Sequence, residues 1–379
     1  MAFWFWFFTG PAILLALLSL RGERRKSRYV AARLAESSEW LPRATVIVPV
    51  KGFDDGLREN LDALASLDYP DYELIVTAHS AADIPPGVLP QRVRVVLAHG
   101  ADAATGEKIQ NLQAAVRAAS KRSQVFAFAD SDGHPTPRWL RALVAPLANE
   151  ETGASTGYRW FTPHPATFAG LLRSVWDGVC VSMLGADDCG FVWGGAMAMR
   201  KETFFEARVF EYWKNTISDD YALASAVRAA GMKIAYAPGA LVPCIERLSL
   251  GRFLSWARRQ MTITRVYSPK IWWPGLIAHI FYCGGMVAPV IAAARGHWIA
   301  LWALALQLPP GMWKGWNRAR QARTALPERD RWFRKWGWVH ALWTPLATWT
   351  WLVVLLSSAG SNTIVWRGYR HELRRPPVV

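Results

Sequence analysis

The sequence predicts an α/β domain built around a mostly parallel sheet, with transmembrane helices at both ends of the chain. Short β-branched runs alternate with helical patterns between residues 44 and 240, which is the order found in parallel sheets. Uncharged apolar stretches lie near both ends. An apolar run at 125–129 ends abruptly in Asp130-Ser131-Asp132, which places two carboxylates where a buried strand meets a loop.

The composition narrows the class of protein. The chain has 379 residues and a formal net charge of +15. A basic balance predicts an anionic partner, such as nucleic acid, a membrane surface or a phosphate-bearing substrate. The 22 Trp and the 52% of hydrophobic residues favour a membrane and argue against nucleic acid as a partner. The four Cys lack CxxC spacing, so neither a zinc site nor a disulfide framework is indicated.

The N-terminus predicts a membrane anchor. Residues 1–20 are almost wholly apolar, are long enough to span a bilayer, and lack the features of a cleaved signal peptide. Residues 21–43 follow as a basic juxtamembrane linker. Because positive charge next to a span stays in the cytoplasm, we expect a cytoplasmic domain over residues 44–247.

The predicted α/β domain places several loops at one edge of its sheet. Strands are predicted at 45–50, 73–78, 93–97 and 125–129, and helices around Leu57, Leu61 and Leu64 and over 108–120. Ligands of such sheets bind beyond the carboxyl ends of the strands. The mouth of the site should therefore contain Pro49–Gly52, the residues after Ala78, and Asp130–Asp132.

Asp130 and Asp132 suit a hard divalent cation. Mg²⁺ and Mn²⁺ prefer oxygen ligands and often share them with the phosphates of a substrate. The alternative is an ordinary turn, because Asp, Ser and Gly are common turn residues.

Two later features also have alternative interpretations. Asp219 and Asp220 open a predicted helix that Gly231 closes, so they are either a helix cap with first-turn acid or catalytic groups turned into a cleft. Gly194 and Gly195 interrupt the apolar run 191–199, which indicates a β-bulge, close approach of a ligand, or tight packing.

The C-terminal part predicts an interfacial helix followed by spans. Residues 248–270 are basic and amphipathic, which suits a helix lying on a membrane surface, although a packed helix of the soluble domain has the same pattern. A transmembrane region is predicted over 271–358 and a basic tail over 359–379.

The number of C-terminal spans stays open. Candidate spans cover 271–294, 297–313 and 336–358, with a basic loop at 314–335. Three spans put the basic tail outside, against the charge rule. Either the last segment is re-entrant around Pro345, or one upstream segment does not cross.

This order of parts resembles family 2/21-type inverting membrane glycosyltransferases of the GT-A fold, and specifically ceramide glucosyltransferases and their bacterial relatives. The matching stretches are VIVPVKGFDDGLRENLDALASLDYPDYELIV at 46–76, EKIQNL at 107–112, DSD at 130–132, GGAMAMRKE at 194–202, ISDDYALASAVRAAG at 217–231 and TIVWRGYR at 363–370. The resemblance covers nearly the whole chain.

The resemblance implies a role for individual residues. Asp130 and Asp132 would hold Mg²⁺ or Mn²⁺ against the diphosphate of a UDP-sugar, and Asp220 would be the general base. The donor site would also contain Pro49, Lys51, Gly52, Asp83, Lys108, Asn111, Trp256 and Arg259. Gly194, Gly195 and Asp219 would border the acceptor.

Two positions depart from the family pattern. His79 stands where an aspartate usually follows the second strand, and Asp83 comes four residues later. The pattern Gln/Arg-x-x-Arg-Trp is replaced by Trp256-Ala257-Arg258-Arg259-Gln260, which keeps a cation and moves the aromatic residue. Either Asp83 takes the place of the usual aspartate from a different loop, or base recognition in the donor site is changed.

We expect an enzyme that transfers a hexose, glucose first, from a UDP-sugar to the hydroxyl of a membrane lipid, with ceramide or a related sphingolipid as the first acceptor. It would be a multi-pass protein of a bacterial inner membrane, with its catalytic domain in the cytoplasm. The alternatives are another lipid acceptor such as a hopanoid or diacylglycerol, a processive polysaccharide synthase, and a non-catalytic protein on a degenerate glycosyltransferase scaffold.

Overall fold

The computed structural model describes residues 3–36, 38–98, 102, 104–185, 188–366 and 369–374. The chain divides into two compact units. The sheet unit comprises Val30–Trp160, Met183–Cys244 and Arg374–Val379, and the helical unit comprises Met1–Tyr29, Phe161–Ser182 and Ile245–Leu373.

The strands and helices follow in chain order. The strands are β1 (Ala44–Pro49), β2 (Tyr72–Ala78), β3 (Arg94–Leu97), β4 (Val125–Ala129), β5 (Thr152–Phe161), β6 (Ala196–Arg200), β7 (Lys233–Cys244), β8 (Thr363–Trp366) and β9 (Tyr369–Glu372). The α-helices are α1 (Phe3–Ala35), α2 (Leu57–Ala65), α3 (Glu107–Ala118), α4 (Trp139–Val144), α5 (Phe168–Gly178), α6 (Lys201–Glu206), α7 (Val209–Tyr212), α8 (Asp219–Ala229), α9 (Leu250–Tyr267), α10 (Pro269–Ala294), α11 (Trp302–Ala325), α12 (Asp330–Trp336), α13 (Val339–Leu342) and α14 (Thr344–Ser358).

The sheet unit contains a seven-stranded sheet of order β3-β2-β1-β4-β6-β5-β7. Strands β3, β2, β1 and β4 are parallel, whereas β6 pairs antiparallel with both β4 and β5. The predicted mostly parallel α/β fold is confirmed. The four strands predicted before the acidic motif form the parallel half, and each differs from its predicted bounds by at most one residue.

Strand β4 lies in the middle of the sheet, and its sequence explains why. All five residues of β4 are buried, as expected for a strand covered on both faces, which is apolar throughout instead of alternating. Phe126 packs edge-to-face on Phe204 with ring centroids 5.5 Å apart, and Phe128 packs on Trp213 at 5.8 Å. This buried strand delivers Asp130 to the edge of the sheet.

The glycine pair lies outside the strand that its apolar surroundings suggested. Gly194 and Gly195 form a turn, and β6 begins only at Ala196. The interpretation as a β-bulge is therefore wrong. The antiparallel pairing of β6 was not expected, because the sequence between 150 and 200 lacks a clear alternating pattern.

The first helix is much longer than the predicted anchor. Helix α1 continues through the basic segment to Ala35, so most of the predicted linker over 21–43 is helical. Arg, Lys, Glu and Ala are good helix formers, which allows the helix to extend past the apolar stretch without a break.

Two helices are long and apolar enough to cross a membrane, among the described residues: α1 and α10. Helix α14 is apolar but shorter. The predicted span 297–313 is instead part of α11, which runs through Pro309 and Pro310 and includes the first part of the predicted basic loop 314–335. Arg, Lys, Ala and Gln favour helix there. The predicted multi-pass topology stays a prediction.

The predicted span 336–358 is divided. Its residues belong to the end of α12, to α13 and to α14, and Pro345 lies in the first turn of α14. Proline is tolerated in a first turn because the amide that it lacks has no helical partner there. A helix boundary at Pro345 therefore needs no re-entrant loop.

Helix α9 is the predicted amphipathic helix. Phe253 and Ala257 are fully buried, and α9 packs on α10 and α14 within the helical unit, whereas Leu250 at its start is 43% exposed. A position on a membrane surface stays a prediction. The predicted tail contains β8 and β9, which pair antiparallel; residues 367 and 368 lie outside the described residues.

Candidate active site

Lys108 connects two acidic residues that lie far apart in the sequence. Its Nζ donates to Asp130 Oδ1 at 2.8 Å and lies 3.1 Å from Asp219 Oδ2. The side chains are 18%, 25% and 7% exposed, respectively. The structure thus brings three predicted site residues together around one ammonium group. Lys108 was predicted for the donor site, Asp130 for the metal site and Asp219 for the acceptor site.

The starts of α3 and α8 are held side by side by backbone contacts. The amide of Gly106 donates to the Thr216 carbonyl at 2.8 Å, and the amide of Asn215 donates to Thr105 Oγ1 at 3.0 Å. A Cβ on Gly106 would lie 3.0 Å from Ile217 Cα, so a larger residue would push the loops apart. This close approach places Lys108 beside the acidic start of α8.

The glycine turn before β6 packs on the same cluster. A Cβ on Gly194 would come within 2.5 Å of Asp219 Oδ2 and 3.1 Å of Lys108 Nζ. A Cβ on Gly195 would come within 2.6 Å of Asp130 Oδ2 and would collide with the Trp193 ring. Tight packing against the acidic cluster is therefore the structural reason for both glycines.

Burial and neighbouring charges together set the pKa of Lys108 and of Asp219. Burial disfavours the charged form of Lys108, but the carboxylates of Asp130 and Asp219 outweigh it and hold its pKa above the usual value. Burial raises the pKa of Asp219 to about 6, assisted by the neighbouring carboxylates and opposed by Lys108. The ammonium therefore stays charged at neutral pH.

Asp220 is held in a fixed orientation at the start of α8. Its Oδ1 accepts hydrogen bonds from the amide of Tyr221, at 2.7 Å, and from the Ser218 hydroxyl. Ser218 also caps the helix, because its Oγ accepts from the Tyr221 amide at 3.3 Å. Both the cap and the first-turn acid are present, and these two hydrogen bonds involve only one of the two carboxylate oxygens.

Asp130 and Asp132 supply carboxylate oxygens of the kind that Mg²⁺ and Mn²⁺ prefer. Asp132 is exposed, whereas Asp130 is half-buried and shares one oxygen with Lys108. Within the described residues, no group of three or more His, Cys, Asp or Glu is arranged to hold a metal on its own. The residues fit a cation that takes its remaining ligands from a substrate, because Mg²⁺ commonly binds one or two carboxylates plus phosphates.

The loops after β1 and β2 meet. The amide of Gly52, whose φ is +68°, donates to the Asp83 carbonyl at 2.7 Å. Asp83 lies in a short 3₁₀ turn, and its Oδ2 accepts from the amide and hydroxyl of Ser80, each at 2.9 Å. The structure therefore places Asp83 beside Gly52, as expected, and uses its carboxylate to close the turn after β2. Whether it contacts a base stays a prediction.

Three other predicted donor residues lie on the same side of the sheet. Pro49 ends β1, and Lys51 forms an ion pair with Glu107 at the start of α3. Asn111 is 2% exposed, and its Oδ1 is buried without a hydrogen-bond partner among the described residues. His79, in the position of the missing aspartate, likewise has a buried Nδ1 with no such partner.

A hydrogen-bonded support beneath the acidic motif was not predicted. Ser131 Oγ donates to Asp54 Oδ2 at 2.7 Å, and Asn60 Nδ2 donates to the Ser131 carbonyl at 2.9 Å. His134 Nδ1 lies 3.3 Å from Asn60 Oδ1. Asn60 is buried on an otherwise apolar helix face, which is the one signal in the sequence that could have revealed this support.

Arg259 and Trp256 belong to the helical unit. The Trp256 ring packs edge-to-face on Phe161 and Trp176, with centroids 5.9 and 5.7 Å apart. The Arg173 guanidinium lies 4.3 Å from the centroid of the same ring. These contacts give Trp256 a packing role, and Arg259 is half-buried on the same helix. Donor binding by either residue stays a prediction.

The mostly parallel sheet gathers acidic residues and a lysine beyond its carboxyl edge, which is where α/β folds bind their ligands. The family model described as glycosyl transferase family 21 matches residues 4–379. The chain therefore belongs to glycosyl transferase family 21, and it is a glycosyltransferase by family. The resemblance drawn from its motifs is confirmed.

A curated relative and two solved structures are similar to the chain. Ceramide glucosyltransferase 1 of Caenorhabditis elegans is 24% identical over 220 residues, which cover 55% of this chain and 47% of that protein. The alignment thus spans about half the length of the relative. It supports a relationship to ceramide glucosyltransferase without establishing the same activity.

The structural likeness concerns the fold. The mannosyltransferase PcManGT from Pyrobaculum calidifontis, in complex with GDP-Man and Mn²⁺, is 17% identical, with a TM-score of 0.52 over 86% of this chain and 99% of that one. Glucosyl-3-phosphoglycerate synthase from Mycobacterium tuberculosis, in complex with Mn²⁺ and UDP-glucose, is 17% identical, with a TM-score of 0.39 over 63% and 81%.

Proposed function

We propose that this protein transfers a hexose, glucose first, from a UDP-sugar to the hydroxyl of a membrane lipid, with inversion at the anomeric carbon. Ceramide or a related sphingolipid is the proposed acceptor. The observation that carries the proposal is the cluster of Asp130, Lys108 and Asp219 with Asp220 next to it, at the edge of the sheet where such folds bind ligands. The family and the name of the ceramide glucosyltransferase relative support it.

The transfer is a single displacement in which Asp220 acts as the general base. The acceptor oxygen attacks the anomeric carbon, its proton passes to the Asp220 carboxylate, and the bond to the diphosphate oxygen breaks with its electron pair leaving on UDP. Hydrogen bonds from Tyr221 and Ser218 to Oδ1 fix the carboxylate, so Oδ2 is the oxygen that receives the proton.

Asp130 and Asp132 are the residues that would hold a divalent cation. When bound, Mg²⁺ or Mn²⁺ neutralises the charge that develops on the departing diphosphate. Lys108 keeps Asp130 in place through the hydrogen bond from its ammonium to Oδ1. Lys51, Gly52 and Asn111 are proposed to border the nucleotide.

The acceptor side is proposed to include Gly194, Gly195 and Asp219. The two glycines keep backbone close to the cluster, which leaves no side chain between the acids and an incoming hydroxyl. The apolar helices α1 and α10 support a protein of the membrane, and we place the sheet unit in the cytoplasm of a bacterial cell.

Donor and acceptor screening of the full chain in detergent tests this function. We expect UDP release and a hexosylated lipid with UDP-glucose and ceramide, identified by mass spectrometry, with the β-linkage of an inverting transfer shown by NMR. UDP-galactose and GDP-mannose are tested as alternative donors, and diacylglycerol and a hopanoid as alternative acceptors. Failure of every UDP-sugar with every lipid would contradict the proposal.

A further inference from the structure

The helical unit contains a cavity of about 140 Å³ that the transfer reaction does not use. It lies among α1, α10, α11 and α14 and the end of α5, and its wall is mostly apolar, with Met286 and Trp351 among the lining residues. Its volume is roughly ten times the least that admits one water, so it is large enough for a polar headgroup.

Two cations line this cavity from one face of α11. Lys314 and Arg318 are four residues apart, which places them on adjacent turns of the same face. Arg318 is 6% exposed, and Lys314 is half-buried. Two positive charges are therefore concentrated in an apolar surrounding.

Their hydrogen-bond partners are neutral. Lys314 Nζ donates to Ser19 Oγ at 2.6 Å, and Arg318 Nη1 donates to Ser182 Oγ at 2.7 Å. Within the described part of the chain, no ion pair joins either cation to a carboxylate. Glu23 lies nearby, but its Oε1 accepts from Asn317 at 2.7 Å and supplies at most one negative charge.

A third polar group in the wall also lacks a partner. Gln307 is 4% exposed, and its Nε2 donates to the Tyr282 carbonyl at 2.7 Å, which fixes the amide. Its Oε1 is buried and has no hydrogen-bond partner among the described residues. A Cβ on Gly285 would come within 2.7 Å of this oxygen, so the amide packs against α10 at the edge of the cavity.

We propose that this cavity binds the phosphodiester headgroup of an anionic lipid, with the phosphate on Lys314 and Arg318. Glu23 supplies at most one negative charge for the two cations, and a phosphate adds the missing charge through charge-assisted hydrogen bonds. The apolar wall suits the first methylenes of the acyl chains. The neutral headgroup of a sphingoid acceptor would not compensate two charges, so this lipid is distinct from the proposed acceptor.

Titration of lipids into the delipidated full chain tests the site. Phosphatidylglycerol and phosphatidylcholine in detergent are compared by native mass spectrometry and thermal unfolding, with inorganic phosphate as the soluble source of the same group. We expect saturable binding of phosphatidylglycerol, weak binding of phosphatidylcholine, and displacement by phosphate only at high concentration.

Variants of α11 provide the controls. Lys314→Met should weaken binding of phosphatidylglycerol about tenfold, the effect of losing one charge-assisted hydrogen bond. Lys314→Arg, which keeps the charge, and Arg320→Met, which removes an exposed charge from the same helix, should bind like the wild type. If Lys314→Met does not yield monodisperse protein, Lys314→Gln replaces it with the same expected loss.

Three results would overturn the proposal. They are equal affinity for the two phospholipids, unchanged affinity in Lys314→Met, and an equal loss in Arg320→Met. Tight binding of inorganic phosphate without binding of phosphatidylglycerol would make the cavity a site for a soluble anion and would reject the lipid as its source.

Discussion

Each unit of the molecule contains a half-buried lysine at its proposed site, and the two lysines differ in the charge of their hydrogen-bond partners. Lys108 in the sheet unit lies between the carboxylates of Asp130 and Asp219, whereas Lys314 in the helical unit donates to the hydroxyl of Ser19. The Lys108 ammonium holds the two carboxylates of the proposed active site close together. Because Lys314 donates to a neutral hydroxyl, its charge is available to an anionic ligand.

The largest effect is expected at the proposed base. Asp220→Asn removes the proton acceptor and keeps the shape of the side chain, so turnover should fall by about 10²–10⁴-fold. The rate of lipid glycosylation with UDP-glucose measures it. Asp62→Asn, an exposed position on α2, is the matched control and should be fully active. Wild-type turnover in Asp220→Asn would reject the base assignment.

Removing the ammonium group of Lys108 should destabilise the sheet unit. Lys108→Met leaves Asp130 and Asp219 buried without their ammonium, and losing one partner of a buried pair costs about 3–5 kcal/mol. A lower midpoint of thermal unfolding, followed by Trp fluorescence, is the expected result.

The double variant Lys108→Met/Asp219→Asn provides the internal control. The double variant also removes the carboxylate charge of Asp219, which Lys108→Met leaves without its ammonium. It should recover part of the lost stability, because the effects of the two substitutions are coupled. If the second substitution adds its own loss in full, the two side chains do not act as a pair.

The glycine turn is expected to tolerate no side chain. Gly195→Ala puts a methyl group into Trp193 and within 2.6 Å of Asp130 Oδ2, and overpacking of this kind costs about 1–3 kcal/mol. Activity should fall with stability because Asp130 is displaced. Gly251→Ala has open space around its Cβ position and should leave both properties unchanged.

The smallest effect concerns pH. Because the pKa of Asp219 is raised to about 6, the folded protein keeps a proton on this carboxyl that the unfolded chain loses near pH 4. The free energy of unfolding contributed by Asp219 should therefore decrease as the pH rises from about 4 to about 6. Thermal unfolding in EDTA should show this decrease in the wild type and not in Asp219→Asn; identical profiles would argue against the raised pKa.

The sequence predicted the sheet unit better than the helical unit, and the reason is physical. The strand before Asp130 was predictable because a short, fully apolar run bounded by turn residues is typical of a central strand covered on both faces. The apolar segments after residue 270 have no comparable constraint, and α11 continues through Pro309 and Pro310 although proline is unfavourable inside a helix. Composition alone could not place those boundaries.

Within the site, the residues that carry charge were predicted and their partners were not. Lys108 and Asp130 came from motifs, but their ion pair depends on the contact between Gly106 and Thr216, which joins residues 110 positions apart. Asn60 and Asp54 support the acidic motif through hydrogen bonds that no local pattern indicates. Such contacts arise only when the sheet brings distant loops together.

Calorimetry of UDP binding tests the central claim most directly. The wild type should bind UDP in the presence of Mn²⁺ and lose that binding in EDTA, since the diphosphate and the carboxylates share the cation. Asp132→Asn, at an exposed position, should lose the metal-dependent part, and Asp62→Asn should keep it. UDP affinity that is the same with Mn²⁺ and with EDTA, or unchanged in Asp132→Asn, would contradict a donor site built on Asp130 and Asp132.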